Sequence, residues 1–100
     1  MIRIGVHDEN ESTSFTIEGK LTAPAATELE NCWQAVIAAD PLKPIIVKLA
    51  AVTFIDSECR ELLTRMRRQG VELAPTGCLM KAIVEQIERD VAKDNARSQT

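Results

Sequence analysis

Four adjacent residues, Asp56-Ser57-Glu58-Cys59, carry most of the chemistry this sequence can offer. A hydroxyl and a thiol between carboxylates suit four roles: nucleophile, metal ligand, phosphorylation site, or the start of a helix. Nucleophilic catalysis needs a base within reach of the serine or cysteine. The chain holds one histidine, His7, distant in sequence, and no lysine beside the cluster. Asp56 and Glu58 stand two apart, so at a helix start their carboxylates need not face each other. No catalytic residue is assigned, and the chain reads as a non-enzyme. The three cysteines, Cys32, Cys59 and Cys78, are odd in number, widely spaced and form no C-x-x-C. That spacing fits neither a disulfide framework nor a zinc site, so no metal is expected. The turn after the preceding apolar run also lacks the glycines that cradle phosphates, and no cofactor is expected.

The capping reading requires a strand before the cluster and a helix after it. "PIIVKLA" and "AVTFID" supply β-branched apolar residues for a strand ending at Asp56. Beyond it, Cys59, Leu62, Leu63 and Met66 recur at helical spacing, one buried stripe in which Cys59 is an inert core thiol. Glu58, Glu61, Arg65 and Arg68 fall on the other side, with Glu61 and Arg65 spaced for an ion pair one turn apart. Gly70 marks the end of this helix. Asp56 or Ser57 can accept from its free amides, and Glu58 suits the positive end of its dipole.

The remaining elements follow from the same periodicities. "MIRIGVH" alternates Ile2, Ile4 and Val6 against Arg3 and His7, and "TSFTIEG" alternates through Phe15 and Ile17, together predicting a hairpin. A first helix follows over "KLTAPAATELENCWQAVIAA", with Thr22 or Ala23 near its cap, Pro24 in its first turn, and a stripe of Leu29, Cys32, Trp33, Val36 and Ile37. "VELA" predicts a brief strand. A third helix, capped by Thr76, carries Leu79 or Met80, then Ile83, Val84, Ile87 and Val91. The predicted class is α/β: one domain over residues 1–92, a mixed sheet of about four strands in the order β-β-α-β-α-β-α, and a polar, frayed tail over 93–100.

Composition narrows the function. A net charge of −3 argues against a nucleic-acid partner, which needs a basic face. The one cationic cluster, Arg65, Arg67 and Arg68, lies among glutamates and reads as a solvated helix face. No apolar run reaches the roughly 18 residues that span a bilayer, and the N-terminus has no signal-peptide pattern. A cytoplasmic protein without direct membrane insertion is expected.

"IIVKLAAVTFIDSECRELLTRMRRQGVEL" resembles the central stretch of STAS domains, the family of anti-sigma factor antagonists, and "FTIEGKLTAPAATELENCWQAV" resembles the strand, turn and first helix before it. The most specific piece is Phe54-Ile55-Asp56-Ser57, beginning the family's F-I-D-S-S-G. In the partner-switching branch, the resemblance implies, a partner kinase that is also an anti-sigma factor phosphorylates the second serine. Here that phosphoacceptor position is Glu58, the glycine after it is Cys59, and the next two positions are Arg60 and Glu61. Lys48 replaces an aspartate common in the preceding strand. Three readings stay open: Glu58 mimics a phosphoserine permanently, Ser57 is modified instead, or the domain is an unswitched scaffold. The implied function is a regulatory protein–protein interaction module in signal transduction and transcription control. Its implied partner surface comprises Asp56, Ser57, Glu58, Arg60, Glu61 and Arg65, with Leu21 and Thr22 of the neighbouring loop. The implied partner is an anti-sigma factor/serine kinase or a related signalling protein. The alternative is an accessory subunit of an ABC lipid transporter, docking on the transporter's ATPase.

Overall fold

The computed structural model describes residues 2–98. Alternating side chains build β1 (Ile2–Asp8) and β2 (Thr13–Leu21), which pair antiparallel as the expected hairpin. The first helix, α1 (Ala23–Ala39), leads to β3 (Ile45–Ile55), and α2 (Ser57–Arg68) leads to β4 (Glu72–Pro75). The last helix, α3, spans Cys78–Ser98. The sheet order is β1-β2-β3-β4, with β2, β3 and β4 parallel, so the α/β class and element order agree with the sequence reading.

Both parallel connections step the same way across the sheet. Right-handed crossovers therefore place α1 and α2 on one face, and α3 packs beside α2 and β4. The strands record this one-sided cover. Phe15, Ile17, Val47 and Leu49 are fully buried, while Lys48 between the last two and Ala50 after them are exposed. Against that sheet face sit Leu29 and Trp33 of α1, Cys59, Leu62, Leu63 and Met66 of α2, and Met80, Val84, Ile87 and Val91 of α3. Each fully buried large apolar side chain contributes roughly 1.5–3 kcal/mol of transfer free energy, which makes this layer contact the main source of stability. Buried Trp33 keeps its indole N–H without a hydrogen-bond partner among the described residues.

The pairing of β2 with β3 shifts twice, between Ile17 and Glu18 and between Gly19 and Lys20. Ala50 and Thr53 are the residues of β3 that drop out of the ladder. Gly19 sits at φ 104°, a conformation only glycine adopts without strain, at the second shift. The inward phase accordingly moves from Leu49 to Val52.

Several expectations are corrected. Thr22 does hold the expected cap position of α1, its carbonyl accepting from the Ala26 amide, but its side chain makes no capping bond. Thr76 does not cap α3, because the Gly77 carbonyl accepts the amide of Lys81 and the helix starts at Cys78. Gly77 at φ 86° makes the bend that redirects the chain after Pro75. Met80, not Leu79, joins the core. Helix α3 continues to Ser98 and so takes in residues 93–98 of the polar tail; Gln99 and Thr100 of that tail lie outside the described residues. Val6 is 47% exposed despite its inward phase. Its strand lies at the edge of the sheet, beyond the main contacts of α1.

Candidate functional site

The Asp56–Cys59 cluster stands where β3 ends and α2 begins, at the edge of the sheet where all three helices start after a parallel strand or its turn. Asp56 is the cap. Its extended backbone (φ −86°, ψ 176°) turns the side chain back, and Oδ1 accepts from the Cys59 amide at 2.9 Å. Its own amide donates to the Leu21 carbonyl at 3.0 Å, so the ends of β2 and β3 are joined across the sheet. Of the two cap candidates the structure selects Asp56, and Ser57 is the first helical residue.

Cys59 faces inward, 1% exposed, and its thiol donates to the Thr22 carbonyl at 3.1 Å. Burial pushes this thiol up to about 12, helped by the hydrogen bond and negative charge of Asp56. Thiolate chemistry is thereby suppressed. The bond also ties the start of α2 to the entry of α1, the loop carrying Leu21 and Thr22. Leu21 itself is fully buried, so its side chain supports that loop and cannot reach a partner.

Ser57, Glu58 and Glu61 are exposed on the outer side of the helix start. Glu58 in the first turn places a carboxylate against unpaired helical amides, a position that favours negative charge by about 0.3–1 kcal/mol. Arg60 is half-buried and leans to Asp90 of α3 at 3.9 Å. Arg65 pairs with Glu30 of α1 through both guanidinium nitrogens, at 3.0 and 3.4 Å, in place of the expected Glu61. Arg67 meets Glu88 of α3 at 3.4 Å. The α2 arginines thus bridge the helical layer sideways, and as exposed pairs each is worth about 0–1 kcal/mol.

The structure brings Ser57, Arg60, Glu61 and Arg65 together along one open groove of about 670 Å³ between α2 and α3. Asp90 and Lys93 complete its far wall, which a reading confined to the second helix did not identify. Also unanticipated are two exposed apolar side chains at this end of the sheet: Phe54, 48% exposed at the end of β3, and Leu79, 59% exposed at the start of α3. Among the described residues, no group of His, Cys, Asp or Glu is arranged to hold a metal ion. Among the same residues, no helix is long and apolar enough to cross a membrane.

Solved structures share this architecture. An anti-sigma factor antagonist from Mycobacterium paratuberculosis aligns with TM-score 0.75 and 21% identity, covering 90% of this chain and 80% of its own. A protein of the DUF3478 family from Shewanella loihica, described as having a SpoIIAA-like fold, aligns at TM-score 0.55 and 14% identity over 78% of this chain and 69% of its own. Mglu aligns at TM-score 0.58 and 18% identity over 74% of this chain, but only 19% of Mglu. A search of curated proteins returns no match. At these identities the neighbours speak for the fold. The family itself is given by the sequence pattern: the STAS domain matches residues 3–89, from β1 into the first half of α3. The chain belongs to the STAS domain family.

Proposed function

We propose that this protein is a regulatory protein–protein interaction module of the anti-sigma factor antagonist kind, with the charge at its switch position held permanently negative. The observation that carries the reading is Glu58: an exposed carboxylate in the first turn of α2, beside a cap made by Asp56 and above a buried Cys59. A phosphoserine there would carry about −1.5 to −2 charge, and glutamate supplies about −1 in the same field. The partner surface is the outer start of α2, with Ser57, Glu58, Arg60 and Glu61, flanked by Thr22 and extending to Arg65. Charge arranged in this way governs partner choice more than raw affinity. Asp56 acts through the backbone it caps.

The preferred partner is an anti-sigma factor/serine kinase or a related signalling protein in the cytoplasm. Affinity capture with wild type and Glu58→Ser tests this. Wild type is expected to retain such a protein, and the serine variant to alter retention and accept phosphate from a recovered kinase. Recovery of an ABC ATPase in place of a signalling protein would overturn the reading in favour of a transporter subunit. Phosphate found on wild-type Ser57 would overturn the fixed-charge part of it.

A further inference from the structure

β1 is an edge strand, and its outer backbone has no strand partner among the described residues. Proteins usually blunt such an edge with proline, lysine, a bulge or a covering helix. Here IRIGVHD has no proline and no lysine, its pairing with β2 runs without a register shift, and α1 packs mainly elsewhere. Its inward-phase side chains are also incompletely covered: Ile2 and Ile4 are half-buried and Val6 is 47% exposed. Beside Val6 an apolar cleft of about 390 Å³ opens toward Val36 and Ala39 of α1.

We infer that β1 is a homodimer interface, pairing antiparallel with β1 of a second copy to continue the sheet. A two-fold axis that joins two edges antiparallel must stand perpendicular to the sheet, so residues of like phase meet. Three registers pair at least five residues of each strand, those centred on Ile4, Gly5 and Val6. Centring on Val6 sets Ile4 against the Asp8 carboxylate and Gly5 against His7. Centring on Gly5 sets Arg3 against His7, and the apolar Ile2 against the Asp8 carboxylate. Centring on Ile4 sets Ile2 against Val6, Ile4 against Ile4 and Arg3 against Gly5. In this last register all apolar residues of the strand meet apolar residues on the helix side. Arg3 keeps Glu18 of β2 as its cross-strand neighbour, and Ile2 of the second copy lies over the cleft beside Val6. The strand is self-complementary about Ile4, which selects a second copy over an unrelated peptide.

Sedimentation equilibrium in reducing buffer is the test. Wild type is expected to show concentration-dependent association to twice the 11.0 kDa chain mass. Val6→Lys should weaken association at least tenfold with an unchanged far-UV circular dichroism spectrum. Leu42→Lys, at an exposed apolar residue in the α1–β3 loop (92% exposed), should leave it intact. For the register, Ile4→Cys in a Cys78→Ser background should form a disulfide-linked dimer on mild oxidation, and His7→Cys should not. A wild type that remains monomeric at its solubility limit, or a Val6→Lys protein that associates as wild type does, would overturn the inference. Equal cross-linking at His7 would overturn the register.

Discussion

Cys59 gives the most direct test of how the helix start is built. Its thiol is 1% exposed, and burial beside Asp56 raises it from 9.0 to about 12. At about pH 8 that difference alone cuts the thiolate fraction about a thousandfold relative to an ordinary cysteine. Reagent access is a second barrier, because reaching the sulfur requires α2 to leave Thr22 and the sheet. The chain supplies its own references, Cys78 exposed and Cys32 intermediate. Labelling with an aromatic disulfide reagent, read by absorbance and assigned with Cys32→Ser and Cys78→Ser variants, should therefore resolve three rates. Cys78 should react first and Cys32 next, with Cys59 at least a thousandfold behind Cys78. Its rate should climb with urea as the global opening equilibrium does. The same linkage has a sign in stability. The folded thiol holds its proton above the unfolded value, so this contribution is complete below pH 9.0 and declines as pH rises toward about 12. Native-state labelling of Cys59 at the rate of Cys78 would refute the packing, the hydrogen bond to Thr22 and the raised pKa together.

Two further outcomes concern the termini of strands and helices. Asp56→Ala removes the acceptor for the Cys59 amide, and urea unfolding should report a loss of about 0.5–2 kcal/mol, the usual worth of a side-chain cap. Asp8 is held below its ordinary 3.8 by hydrogen bonds from Lys43 and Thr13 and by the Lys43 charge. Its contribution is present above the unfolded value and lost as pH falls through the folded one. An NMR titration should therefore place Asp8 below 3.8, and Lys43→Ala should move it upward.

Local pattern carried much of the fold. The order of seven elements follows from two periodicities. The stripe Cys59, Leu62, Leu63 and Met66 identifies the buried side of α2 without any tertiary knowledge. The helix cap at Asp56 was legible for a related reason, since a cap must follow a strand end and precede an amphipathic run; the outer charges of α2 stood out only through the resemblance to STAS domains. What escaped the sequence was set by distant partners. Arg65 had Glu61 at the right spacing, yet it meets Glu30 of α1, whose two oxygens face its fork. Val6 had the correct phase but an edge position that alternation cannot reveal. Leu21 stands next to Thr22 at the entry of α1, and only the paired strand ends show it sealed beneath Asp56. At Thr76 a polar residue before an apolar run imitated a cap, while the neighbouring glycine supplied the turn.

The two register shifts in β3 carry a consequence for how this protein can vary. Ala50, Ala51 and Thr53 are exposed and touch no core residue from the open face, so side-chain exchanges there should be inexpensive. Their number is also free, in one direction. Ala50 and Thr53 are the extra positions of the ladder, so removing either would restore plain alternation and leave Val52 opposite Gly19 and Ile55 opposite Leu21. The amide of Asp56 would still reach the Leu21 carbonyl. The segment is thus a slack region of the strand, and divergence in this chain should show both exchanges and single-residue gaps at these two positions.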